Sequence, residues 1–171
     1  MRRMTMTRCN PRRTLGGGPT TKLSQTERRG LKAAIKALEE MHNDLDDAAE
    51  NLYNIDAPVT GGDVEMIQDD AEATAEEIQS LLDGEVRICR SSLQELLKSI
   101  WMIQRTYNDV ERQVSEAVMD AEEDDSGDLY ELEEAQANLM AALDPFDKAQ
   151  YLVYRVLKAH RIALPKRRRR R

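Results

Sequence analysis

Aromatic residues are scarce in this chain. They make up 4% of 171 residues, with one Phe and one Trp. A sheet-based enzyme core needs more bulky rings than that, so the composition points to long solvated helices. Cysteine is scarcer still. Cys9 and Cys89 cannot supply a disulfide framework or a zinc spacing, and the plain expectation is a reducing, intracellular setting: the nucleus if the source is eukaryotic, the cytoplasm or a virion if it is bacterial or viral. Two histidines, His42 and His160, leave no Ser-His-acid or Cys-His arrangement to assemble. No apolar run approaches a membrane span. The arginines at the start are followed by no apolar stretch, so neither a secretory signal nor a membrane partner is expected.

Acidic residues are absent where basic ones concentrate. Residues 1–22 hold Arg2, Arg3, Arg8, Arg12, Arg13 and Lys22 without one acid. Residues 155–171 hold Arg155, Lys158, Arg161, Lys166, Arg167, Arg168, Arg169, Arg170 and Arg171, again without one acid. All 32 acids lie between, so the formal charge of −7 describes neither part. Segregation of this kind bears on partners more than on fold.

What the chain does have is spacing. Val86, Cys89, Leu93, Leu96, Ile100, Ile103, Tyr107, Val110, Val114, Ala117 and Ala121 alternate by three and four, which holds one seam on one side of a helix. Leu97 and Trp101 widen that seam, so this helix, expected over 85–123, should meet at least two others. A second run, from Leu31 through Ala34, Leu38, Met41, Leu45, Ala48 and Leu52 to Ile55, predicts a helix over about 24–56. Ser24 and Glu27 are spaced to form its capping box. Asp63 is placed as the N-cap of a helix over 63–83. Gly84 either ends that helix or kinks a continuous one. Further helices are expected over 128–143 and 145–163, separated at Asp144-Pro145 because proline disrupts a helix interior. The expected fold is all-α: an antiparallel helical bundle or coiled coil of three to four long helices packed about 86–121. A flexible basic arm (1–22) precedes it and an arginine-rich tail (165–171) follows.

Three patterns carry possible chemistry. Guanidinium groups bind phosphates bidentately, so the basic residues of the arm and tail, Arg2, Arg3, Arg8, Arg12, Arg13 and Lys166 through Arg171, are candidate contacts for nucleic acid or an acidic protein surface. Neither end carries aromatics that would stack bases. Glu122, Asp124, Ser126, Asp128 and Glu133 fall on the oxygen pattern of a twelve-residue calcium loop, with Gly127 at its tight bend. Glu122 stands where such loops favour Asp, and no second loop pairs with it, so a solvated acidic linker is the simpler reading. Glu39 and His42 have the Glu-x-x-His spacing of di-iron bundles, but a second copy is missing. No cofactor is expected.

The functional expectation is a non-enzymatic structural or assembly subunit. Leu93, Leu96, Leu97, Ile100, Trp101, Ile103, Tyr107, Val110 and Val114 would form its helix interface, with itself or another helical protein. The arginine-rich ends would meet nucleic acid or another acidic surface. Two alternatives stand beside it. An acidic helical body ending in a basic segment is similar in composition to tailed-phage scaffolding proteins, a likeness that implies docking of the basic end on coat protein. The 122–133 loop would instead make a calcium-responsive helical switch.

Overall fold

The computed structural model describes residues 22–55, 59–124 and 126–164. Four helices and no strand occur among them: α1 (Gln25–Tyr53), α2 (Gly61–Asp83), α3 (Arg90–Glu123) and α4 (Leu129–Ala159). Among the described residues no helix is long and apolar enough to cross a membrane.

Local chemistry sets most of the helix ends. The Ser24 N–H donates to Glu27 Oε2 (2.7 Å) and the Glu27 N–H donates back to Ser24 Oγ (3.2 Å), the reciprocal box that starts α1. In α2 the N-cap is Thr60 rather than Asp63. Asp63 sits three residues in, where its Oδ2 accepts from the Thr60 N–H (2.8 Å) and hydroxyl (3.0 Å). Gly84 ends α2 at φ 78°, a left-handed conformation that glycine adopts without a steric penalty. The segment 63–123 is therefore two helices. α3 starts at Arg90, so Val86 and Cys89 precede it. The buried Ser92 hydroxyl accepts from the Cys89 N–H (3.1 Å) and donates to the Arg87 carbonyl (3.0 Å), which turns the chain into the helix.

The break expected at Asp144-Pro145 does not occur; α4 continues through Pro145. Proline in a helix interior costs about 3 kcal/mol. Ala142, Phe146 and Ala149, all fully buried, hold the helix on its course across that site. Phe146 is the bulkiest of the fully buried side chains, and tertiary packing outweighs the local preference here.

Each helix packs on its neighbours in sequence, and α4 closes the ring on α1; among the described residues the backbones of the diagonal pairs stay more than 8 Å apart. Cross-links tie every interface, and on α1–α2 and α3–α4 they fix an antiparallel register. Gln68 of α2 donates to the His42 carbonyl (3.0 Å) and to Asp46 Oδ1 (2.6 Å) of α1, while Arg28 reaches the Leu82 carbonyl (3.0 Å) near their other ends. The Ser99 hydroxyl of α3 donates to Glu77 of α2 (2.8 Å). Burial, with a smaller contribution from nearby Glu95, pushes the Glu77 carboxyl above its usual value against the pull of that bond. Gln150 and Gln136 of α4 donate to Gln104 (2.6 Å) and Ser115 (2.9 Å) of α3. His160, at the end of α4, lies 3.2 Å from Glu27 at the start of α1.

The organising helix is α1, not the 86–121 segment. The α1–α4 and α1–α2 pairs approach most closely along their lengths. The buried stripe of α1 includes Ala34, Ala37, Ala48 and Ala49, and that of α4 includes Ala135, Ala142 and Ala149. Small side chains let helix axes come nearer, whereas the Leu, Ile and Val stripe of α3 holds its neighbours further off.

Candidate nucleic-acid interface

The antiparallel ring brings the start of α1, the end of α2, the start of α3 and the end of α4 to one end of the bundle. Arg28, Arg29 and Lys32 come from α1, Arg87 and Arg90 from the α2–α3 corner, and Arg155, Lys158 and Arg161 from α4. The described chain also begins and finishes there, at Lys22 and Leu164. The opposite end gathers Asp46, Asp47 and Glu50 of α1, Asp69 and Asp70 of α2, Asp120, Glu122 and Glu123 of α3 and Glu131, Glu133 and Glu134 of α4. Among the described residues Arg112 is the sole Lys or Arg in that half, and it is paired with Glu116 at 2.9 Å. The folded protein is a rod with opposite charge at its two ends.

Helix stability accounts for α4, which has Glu131 in its first turn and Lys158 in its last, but not for the whole arrangement. A helix favours acids in its first turn and bases in its last, by about 0.3–1 kcal/mol each. α3 has no acid in its first turn and begins with Arg90, while α1 and α3 have no base in their last turns and end among acids. The polarity of α3 runs against its own dipole, whereas α1 keeps Glu27 in its first turn and opposes its dipole only at its C-terminal end.

The end of α4 is shaped by one unusual backbone conformation. Arg161 has φ 57°, the only positive φ on a non-glycine residue among those described. The Ile162 N–H donates to the Leu157 carbonyl (2.9 Å) and the Arg161 N–H to the Lys158 carbonyl (3.0 Å), and Ile162 is buried. This is the Schellman termination, in which glycine ordinarily occupies the left-handed position. An L-residue there is strained by roughly 1–2 kcal/mol. Arg161→Gly should therefore stabilise the fold by about 1 kcal/mol, read as a higher urea midpoint, while removing a cation from the basic end.

The same turn folds residues 162–164 back beside the last turns of α4. Leu164, with Tyr151, Tyr154, Arg155, Lys158 and Ala159, lines an open groove of about 520 Å³. Tyr151 is 61% exposed, and the Arg155 guanidinium lies over its ring, 5.8 Å from the centroid. These aromatics were not legible as functional, because they sit on the bundle and not in the tails.

The residues singled out from sequence are dispersed. Arg2, Arg3, Arg8, Arg12, Arg13 and Lys166 through Arg171 lie outside the described residues. Leu93, Leu96, Ile100, Ile103, Tyr107, Val110 and Val114 are buried inside this one chain, and Leu97 is half-buried. Trp101, read as widening the seam, is 51% exposed and lies on the outer face of α3. Cys89 lies before α3 and off the core, and it is disulfide-bonded; Cys9 lies outside the described residues.

For the calcium pattern, Glu122 lies in the last turn of α3, Asp124 and Asp128 cap α3 and α4, and Glu133 is inside α4. The Ser126 hydroxyl accepts from the Asp128 N–H (3.3 Å). Glu39 and His42 line a groove of about 370 Å³ between α1 and α2, with Glu72 and Glu76 opposite. Among the described residues no three His, Cys, Asp or Glu side chains converge to hold a metal ion, at either place or elsewhere.

No family model matches the chain, and neither a curated protein nor a solved structure does.

Proposed function

We propose that this protein is a non-enzymatic binding and assembly subunit that grips nucleic acid through the basic end of its four-helix bundle. The observation that supports this most is the collection of Arg28, Arg29, Arg87, Arg90, Arg155, Lys158 and Arg161 at one end, against the helix dipole of α3. The basic arm and tail join the bundle at that same end, so their cations and those of the bundle would act on one polyanion. Guanidinium groups neutralise phosphates without reading sequence, and displaced counterions make such binding steeply salt-dependent. The acidic far end would repel the phosphate backbone and orient the rod with its basic end inward. In this reading the heptad-spaced seams hold the platform together rather than recruit a partner helix, since their side chains are already buried.

The test is the salt dependence of binding to DNA and RNA. The full chain should bind both at about 50 mM salt, with log K falling linearly in log salt. Deleting residues 166–171 removes six cations and should flatten the slope by up to about 0.7–0.9 for each phosphate that those cations neutralise. An absence of binding at low salt would refute the reading, and an unchanged slope after the deletion would remove the tail from it.

A further inference from the structure

We infer that the outer face formed by α3 and the end of α4 is a stacking platform for single-stranded nucleic acid. This rests on the reading above and narrows its ligand class. On α4, Tyr151 is followed at helical spacing by Arg155 and Lys158, all exposed, and Tyr151 and Arg155 already form a ring-to-cation stack. On α3, Trp101 lies between Lys98 and Arg105 at the same spacing, and all three are exposed. The Gln104–Gln150 hydrogen bond (2.6 Å) sets the register of the two helices. Because the helices run antiparallel, it places Trp101 at the height of residues 151–154 along the bundle. The two strips thus lie level on adjacent helices, each an aromatic flanked by cations.

Such a pairing fits a polymer that offers unpaired bases and phosphates together. Bases stack on aromatic and guanidinium planes while phosphates meet the neighbouring cations. A duplex hides its base faces inside the stack and could use only the cations. Asp144 and Asp147, exposed on α4 on the side away from its C-terminus, bound the platform, so the strand would run toward the basic end. The groove walled by Tyr151, Tyr154 and Leu164 opens where the described chain ends.

The test compares an oligothymidylate of about 20 nucleotides with a duplex of equal length, by fluorescence anisotropy at about 100 mM salt. The full chain should bind the single strand more tightly. Tyr151→Ala should weaken it about tenfold and leave duplex binding unchanged, and Tyr151→Phe should restore it. Trp101 is the only tryptophan, and its emission should be quenched by the single strand and not by the duplex. Circular dichroism checks the folding of each variant, and the exposure of Tyr151 predicts no change. If single strand and duplex bind equally and Tyr151→Ala alters neither, the platform is refuted while polyanion binding stands. If neither binds, both fall. If polyglutamate competes as well as oligothymidylate, the partner is an acidic protein and the inference is overturned.

Discussion

Gly61→Ala should destabilise the bundle by about 3 kcal/mol, at the upper end of the range for forcing an extra methyl into a packed site. Gly61 is the first residue of α2, and it is buried where that helix crosses α1. A Cβ there would meet the Tyr53 ring edge and would stand 2.6 Å from the Ala49 carbonyl oxygen. Tyr53 is 56% exposed and can swing away. The carbonyl belongs to the backbone of α1 and cannot. The start of α2 must then lift off α1, opening the interface that Gln68 cross-links. Gly62→Ala is the control: its Cβ would meet only Thr60 Oγ1 at 3.5 Å and the Tyr53 hydroxyl at 3.7 Å, and replacing a helical glycine stabilises by up to about 1 kcal/mol. Urea unfolding of the two variants should move the midpoint in opposite directions. Pairing Gly61→Ala with Tyr53→Ala should not restore stability, and full rescue would mean that the ring, not the backbone, sets the close approach.

The second large effect appears at high pH. The Tyr107 hydroxyl donates to the Leu139 carbonyl at 2.6 Å, bridging α3 and α4, and the side chain is 3% exposed. Burial, reinforced by Glu111 and Asp147, pushes its pKa up from 10 to about 12. In the unfolded chain the phenol ionises near 10. Between these values the folded state keeps a proton that the unfolded state releases. The stabilisation is thus fully present below about pH 10 and is lost as pH rises through about 12. Two units correspond to about 2–3 kcal/mol. Tyr107→Phe should be less stable than the parent by about 1 kcal/mol at pH 8, through the lost hydrogen bond. That deficit should shrink and then reverse toward pH 12. The difference between the two stability curves isolates Tyr107 from the other tyrosines and the lysines. A constant difference from pH 8 to 12 would show that the hydroxyl is not held in this environment.

Much of the helical layout was legible in the sequence because the signals are local. The Ser24–Glu27 box, the three-four alternation of Leu31 to Leu52 and the glycine after Asp83 each depend on residues within a turn or two of one another. The expectation and the structure part where one local signal is outweighed by another local bond, by tertiary packing or by the facing of a single helix position. Val86 and Cys89 keep the phase of the α3 seam, yet Ser92 bonds back to Arg87 and sets the helix start after them. Pro145 signals a break, yet Phe146 and its buried neighbours carry α4 across it. Trp101 looked like core by its type, although its position on the helix is turned about 100° from Ile100 and faces outward.

Sequence alone determined that the chain is helical, that its apolar stripes must be covered, and that its cations are separated from its acids along the chain. It could not show that those stripes cover one another within a single chain, because closure depends on the α1–α4 contact between segments at least 76 residues apart. Nor could it place charge in space. Arg28, Arg90 and Lys158 share one end only because consecutive helices reverse direction, and Trp101 comes level with Tyr151 only through the register that Gln104 and Gln150 hold. Periodicity is written into each helix, whereas juxtaposition belongs to the packing between them.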